Sequence, residues 1–154
     1  MSLKPRILYV DDDVANNEMM TFWLREECGY DVASAIDGKG AIALIDSEFF
    51  DLYLLDYCLP DMTAINLCEK IRQINPDAPI MIYSALDRKV DQERAFEAGA
   101  NHYLMKPDQM SLIKPEVDRL LGNGTRAATA VTTAEHRSVV HKIAHKRVKS
   151  SGIL

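Results

Sequence analysis

Asp11, Asp12 and Asp13 follow directly on the apolar run ILYV, and Asp56 follows directly on LYLL. If these runs are neighbouring parallel strands, their ends bring three or more carboxylates within a few ångströms. Like charges so close strongly disfavour joint ionisation unless a cation neutralises them. Oxygen donors with room for water suit Mg2+, which prefers one or two carboxylates plus water and phosphate oxygens. Two further run ends add to the set: Ser84 closes IMIY with a hydroxyl, and Lys106 closes HYLM with a mobile ammonium. A hydroxyl, an ammonium and a metal around a carboxylate are what a phosphoryl group needs as its charge spreads during transfer. The carboxylate is then the nucleophile, and an acyl phosphate is the covalent product.

Five short apolar runs have to position these groups: Arg6–Val10, Asp31–Ala35, Asp51–Leu55, Ile80–Ser84 and His102–Met105. Near-continuous hydrophobes of this length read as strands buried on both faces of a parallel sheet. Helical spacing fills the gaps. Ala15, Met19, Phe22 and Trp23 share one predicted face, as do Ala41, Leu44 and Ile45, and Ala64, Leu67, Cys68 and Ile71 form the clearest stripe. Val90 to Ala98 reads as a shorter helix stopped by Gly99, and the last helix is expected to start near Pro115, with that proline in its first turn. Strand alternating with helix predicts an α/β fold with a doubly wound parallel sheet, whose functional crevice lies at the carboxyl ends of the strands.

The 154 residues suit one core. No apolar run approaches the ~20 residues of a membrane span, and the amino-terminal residues lack a signal-peptide layout. Three cysteines, Cys28, Cys58 and Cys68, with no CxxC pair, favour a reducing cytoplasm over a disulfide framework. Residues 1–121 carry 22 Asp/Glu against 12 Lys/Arg, whereas residues 122–154 carry one against six. The first segment is too acidic to attract nucleic acid; the second permits it. Within the second, GNG and TRAATAVTT read as a linker. Val139, Val140, Ile143, Ala144 and Val148 then give an amphipathic helical stripe among basic residues.

ILYVDDD, LLDYCLPDM, IMIYSA and HYLMKP, in this order and spacing, resemble the receiver domain of bacterial two-component response regulators over residues 4–121. The resemblance implies a five-stranded sheet in the flavodoxin-like order 2-1-3-4-5 with helices on both faces. It implies that Asp56 accepts a phosphoryl group from a phosphohistidine on a sensor histidine kinase or histidine phosphotransfer protein. Asp12 and Asp56 would bind Mg2+ through side chains, Cys58 through its carbonyl, and Asp11 through water. Lys106 would pair with the phosphoryl oxygens, Ser84 would move to hydrogen-bond them, and Tyr103 would swing into the space Ser84 leaves. The Lys106–Pro107 peptide is expected to be cis. Thr63 and Ala64 stand where the family usually has Asp-Gly, and Asp108 where it usually has an aromatic.

Plainer readings compete at several positions. Asp13 alone reads as solvated surface, and Cys58 as an inert loop thiol. His141 and His145 are four apart but lack accompanying acidic or cysteine ligands, so a solvated basic helix is favoured over a metal site. Cys58 and Leu86 flank the path of a water that would attack the acyl phosphate, and neither orients water well. The leading reading is a stand-alone receiver that is not a turnover enzyme and signals to an unidentified downstream protein. The alternatives are a basic tail acting on nucleic acid or a membrane surface, and the front piece of a longer transcriptional regulator. A phosphatase or flavin enzyme on the same architecture is a remoter alternative; Asp11–Asp13 occupy the place of a flavin phosphate loop.

Overall fold

In the computed structural model, residues 3–122 are described. Five strands, β1 (Arg6–Val10), β2 (Asp31–Ala35), β3 (Leu52–Leu55), β4 (Ile80–Ser84) and β5 (His102–Met105), alternate with helices. The helices are α1 (Val14–Glu26), α2 (Gly38–Ser47), α3 (Ala64–Ile74), α4 (Lys89–Glu97) and α5 (Ile113–Leu120). All four strand pairings are parallel, in the expected order β2-β1-β3-β4-β5.

The period-two alternation of each strand sorts its side chains into two cores. Leu8, Val10, Tyr53, Leu55, Ile80 and Ile82 pack with residues of α2, α3 and α4. Ile7, Tyr9, Leu52, Leu54, Met81 and Tyr83 pack with Met20 and Leu24 of α1 and Ile113 and Val117 of α5. Because both faces are covered, β1, β3 and β4 are hydrophobic at nearly every position. The α3 stripe is borne out, with Ala64, Leu67, Cys68 and Ile71 all buried.

The expected face of α1 is corrected. Met19 and Phe22 are 51% and 64% exposed, and the buried side is Asn17, Met20, Thr21 and Leu24. Asn17 is inside because its Nδ2 donates to the carbonyl oxygens of Asp11 and Ala35, tying α1 to the ends of β1 and β2. β3 begins one residue later than expected, since the Asp51 carboxylate accepts the Arg6 N–H at 2.7 Å. A 3-10 turn at Met110–Leu112 leads into α5, which places Pro115 in the first helical turn. Gly99 follows α4 with φ +114°, the left-handed conformation that glycine adopts without strain. The readings made for residues 123–154 lie outside the described residues.

At the amino ends of β4 and β5 the Arg72 guanidinium donates to the carbonyls of Pro76, Ala78 and Gly99 and to Oδ1 of Asn101. That same Oδ1 accepts the Ile80 N–H at 2.8 Å.

Candidate functional site

The carboxyl ends of β1, β3, β4 and β5 deliver the expected groups to one place. Asp56 leaves β3 with its N–H on the Val10 carbonyl, so β3 and β1 stay in register to the edge of the site. One carboxylate oxygen each from Asp11, Asp12 and Asp56 lie within 4.8 Å of one another. Asp11 is fully buried, Asp56 half-buried and Asp12 exposed, so the cluster opens to solvent on one side. An all-oxygen set with such an opening fits Mg2+, which retains waters. Asp13 is turned away and caps α1 by accepting the Asn16 N–H at 2.9 Å.

Lys106 reaches back from the end of β5, preceding a cis Lys106–Pro107 peptide. Its Nζ lies 2.6 Å from Oδ2 of Asp11 and 3.3 Å from Oδ2 of Asp56. Burial opposes its charge, yet the hydrogen bond to Asp11 and the nearby Asp56 charge prevail, and its pKa is raised. The Asp56 pKa is raised by burial and by the Asp11 charge, against the pull of Lys106. An acid held above its ordinary value beside an ammonium held above its own marks a site short of positive charge.

Ser84 is 2% exposed, and its Oγ accepts the Leu86 N–H at 3.2 Å. Tyr103 is buried beside it. Its hydroxyl donates to the Leu86 carbonyl at 2.8 Å and bonds the Ser84 hydroxyl, and burial pushes its pKa up to about 12. The serine is therefore bonded to the β4–α4 connection and Tyr103, with Tyr103 already packed inward. Cys58 lies two residues past Asp56 in a bridge to Thr63; it is exposed, and partial desolvation with the Asp56 charge raises its thiol pKa. Thr63 is the N-cap residue of α3, and its N–H and its hydroxyl both donate to the Asn66 amide oxygen.

Four positions around the site had gone unnoticed in the sequence. Tyr9, inside β1, donates its hydroxyl to Oδ2 of Asp11 at 2.8 Å, and burial with the Asp11 charge drives its pKa far up. Asn17 fixes the Asp11 carbonyl. Asp91 in the first turn of α4 is 2% exposed, paired with Arg88 at 2.7 Å and hydrogen-bonded to Tyr57. Asp61 accepts the N–H groups of Gly38 and Lys39 at 2.8 and 2.9 Å, clamping the loop after Asp56 onto the start of α2. A signal existed for Tyr9 alone: a tyrosine in a run buried on both faces requires a partner for its hydroxyl.

Those two N–H bonds hold Asp61 below the usual carboxylate range. Its folded pKa lies below its unfolded one, so its contribution is present above the unfolded pKa and lost as pH falls through the folded pKa. Asp61→Asn is thus expected to melt below the unaltered chain at neutral pH, with the gap closing in acid. Thermal melts across pH check this; an equal gap at every pH would exclude the charge as its source.

A cavity of about 950 Å³ lies at the far end of the sheet around Arg6, Tyr30 and Leu121. It contains none of the clustered carboxylates. Phosphoryl chemistry needs clustered carboxylates beside a cation, so the carboxylate end is the candidate.

The response regulator receiver domain, as a family, matches residues 7–118, from β1 to α5. The chain belongs to this family. Its receiver domain is similar in sequence to the DNA-binding response regulator MtrA of Mycobacterium tuberculosis, 40% identical over 69% of this chain and 46% of that protein. It is also similar to the DNA-binding dual master transcriptional regulator RpaA of Synechocystis sp., 33% identical over 90% of this chain and 56% of that protein. The chain spans about half the length of these curated relatives. Among solved structures, it resembles a CheY-like response regulator receiver domain protein from Methanospirillum hungatei. That match has a TM-score of 0.70 at 33% identity, over 79% of this chain and 100% of that one. A two-component response regulator from Clostridium difficile gives a TM-score of 0.72 at 28% identity, over 77% of this chain and 96% of that one. No helix among the described residues is long and apolar enough to cross a membrane.

Proposed function

We propose that Asp56 is the phosphoacceptor of this receiver. The observation that carries the reading is the meeting of Asp11, Asp12 and Asp56 within 4.8 Å, with Lys106 3.3 Å from Asp56. A carboxylate oxygen of Asp56 attacks the phosphorus of a phosphohistidine or small acyl phosphate. The bond from phosphorus to the donor breaks, its electron pair leaves with the donor, and an aspartyl phosphate remains. Asp12, Asp56 and the Cys58 carbonyl would hold Mg2+, with Asp11 acting through water, and the bound metal would supply positive charge to the phosphoryl oxygens. Lys106 turns from Asp11 towards a phosphoryl oxygen. Ser84 exchanges its bond to the Leu86 N–H for another, and the β4–α4 connection follows it. Tyr103, bonded to both Ser84 and Leu86, carries the change to β5 and α5. Residues 4–121 act as the signalling unit, and a histidine kinase or histidine phosphotransfer protein is the donor. In this reading the domain catalyses only its own phosphorylation and dephosphorylation, in the cytoplasm.

Incubation with Mg2+ and acetyl phosphate, followed by intact mass, tests the reading: a gain of one phosphoryl group is expected, and no gain with any small phosphodonor would sink it. Cys58 is exposed and Leu86 is apolar, and neither orients an attacking water. The phosphoryl group is therefore expected to persist for many minutes after the donor is removed. A half-life of seconds would contradict this.

A second reading of the output is favoured by the relatives, which are named as DNA-binding regulators and are about twice as long as the matched region. Here the receiver is the amino-terminal part of a longer transcriptional regulator, and the basic residues after 122 join it to a carboxyl-terminal output domain. The first reading makes residues 122–154 a basic linker with an amphipathic helix and the output a contact with another protein. Intact mass of the native protein separates the two.

A further inference from the structure

We infer that Tyr9 is a positioning residue of the metal site, acting through Asp11; the inference rests on the Mg2+ reading above. Tyr9 is 0% exposed in the middle of β1, where phenylalanine would pack equally well. A buried hydroxyl costs free energy unless it is bonded, so its presence calls for a partner. The partner is Asp11, itself fully buried.

The side chain of Asp11 accepts three bonds. Oδ2 takes the Tyr9 hydroxyl at 2.8 Å and Lys106 Nζ at 2.6 Å, and Oδ1 takes the Asp13 N–H at 3.0 Å. With Oδ2 held from two sides, the carboxylate has one orientation, and Oδ1 keeps a free lone pair for the cluster. Of the two donors on Oδ2, Lys106 is the mobile one, since it also lies 3.3 Å from Asp56. When Lys106 turns to a phosphoryl oxygen, Tyr9 is the side-chain contact that remains. It keeps Asp11 from rotating and from losing its place in the cluster. Outer-shell hydrogen bonds orient metal ligands in this way, and their loss weakens metal affinity.

Tyr83 supplies the control. It is a second buried tyrosine of the same core, with its ring 5.4 Å from Lys106 Nζ, but Asp11 takes no bond from its hydroxyl. A general loss of a phenol near the site would act through both residues. A positioning role acts through Tyr9 alone.

The test is Mg2+ binding to the full chain by titration calorimetry, with metal-free melting recorded for each variant. Tyr9→Phe is expected to raise the Mg2+ Kd about tenfold, the lower end of the range for outer-shell partners. Tyr83→Phe is expected to leave it unchanged. Equal Kd values for Tyr9→Phe and the unaltered chain overturn the inference while leaving the proposed function standing. If the unaltered chain binds no Mg2+, that reading of the pocket falls and this one with it. A measurement free of any folding defect uses the unaltered chain with tyrosine labelled at Cζ. Addition of Mg2+ is expected to move the Tyr9 resonance and leave those of the remote Tyr30 and Tyr53 in place; a stationary Tyr9 signal at saturating Mg2+ overturns the inference.

Discussion

Asp56→Asn is expected to take up no phosphoryl group from acetyl phosphate and, without Mg2+, to melt above the unaltered chain. The first result rests on the nucleophile: an amide nitrogen or its carbonyl oxygen attacks phosphorus far more weakly than a carboxylate, and Asp12 is the only other solvent-accessible acid of the cluster. The second rests on the environment. Burial and the Asp11 charge raise the Asp56 pKa above its unfolded value, with Lys106 opposing. The ionised group therefore costs stability at neutral pH, above its unfolded pKa, and the cost fades in acid as the group protonates. Asparagine removes the charge while keeping an oxygen for Lys106. Intact mass reads the first result and a thermal melt without metal reads the second. Undiminished uptake by the variant would falsify the assignment, and a lower melting temperature would show that Lys106 already compensates the charge.

Lys106→Met is expected to cost about 3 kcal/mol of stability in the absence of Mg2+, the scale seen when one partner of a buried ion pair is removed. The Lys106 side chain is 16% exposed, that of Asp11 1% and that of Asp56 14%, so water screens the group little. Methionine matches the length of the stem, which confines the loss to the ammonium. Two carboxylates are then left facing each other without a cation. Added Mg2+ is expected to restore much of the lost stability, because it answers the same deficit. Urea unfolding with and without Mg2+ measures both quantities. A loss below about 1 kcal/mol, typical of exposed pairs, would mean that the site relaxes freely when the lysine is absent.

The strand ends were legible because a parallel sheet covered on both faces forces continuous apolar runs, and ILYV, LYLL and IMIY stop where their charged or hydroxyl residues begin. Asp11, Asp12, Asp56, Ser84 and Lys106 could thus be placed at one edge before any coordinates. The α3 stripe was legible for a similar reason, since its buried positions are uniformly apolar. α1 was misread because its inner face includes Asn17 and Thr21, polar residues satisfied by hydrogen bonds inside the fold, while Met19 and Phe22 point outward. A rule that sends apolar residues inside has no means of finding a buried amide. Asp91 and Asp61 were hidden likewise: the first is neutralised by Arg88 and bonded by Tyr57, the second bonds α2 from 23 and 22 positions away. Tyr9 reads by its position as one more hydrophobe of β1, and only the partner its hydroxyl needs sets it apart.

The Arg72 clasp makes the sheet asymmetric along its strands. At one end a single guanidinium fastens the loop after α3, the turn after α4 and, through Asn101, the first residue of β4. At the other, Ser84 and Tyr103 are joined to a connection by a few replaceable contacts. Since β4 and β5 stay paired out to Ser84 and Met105, with the Lys106 N–H on the Ser84 carbonyl, a rearrangement at that end would pass through side chains and the adjoining loop while the two strands keep their register.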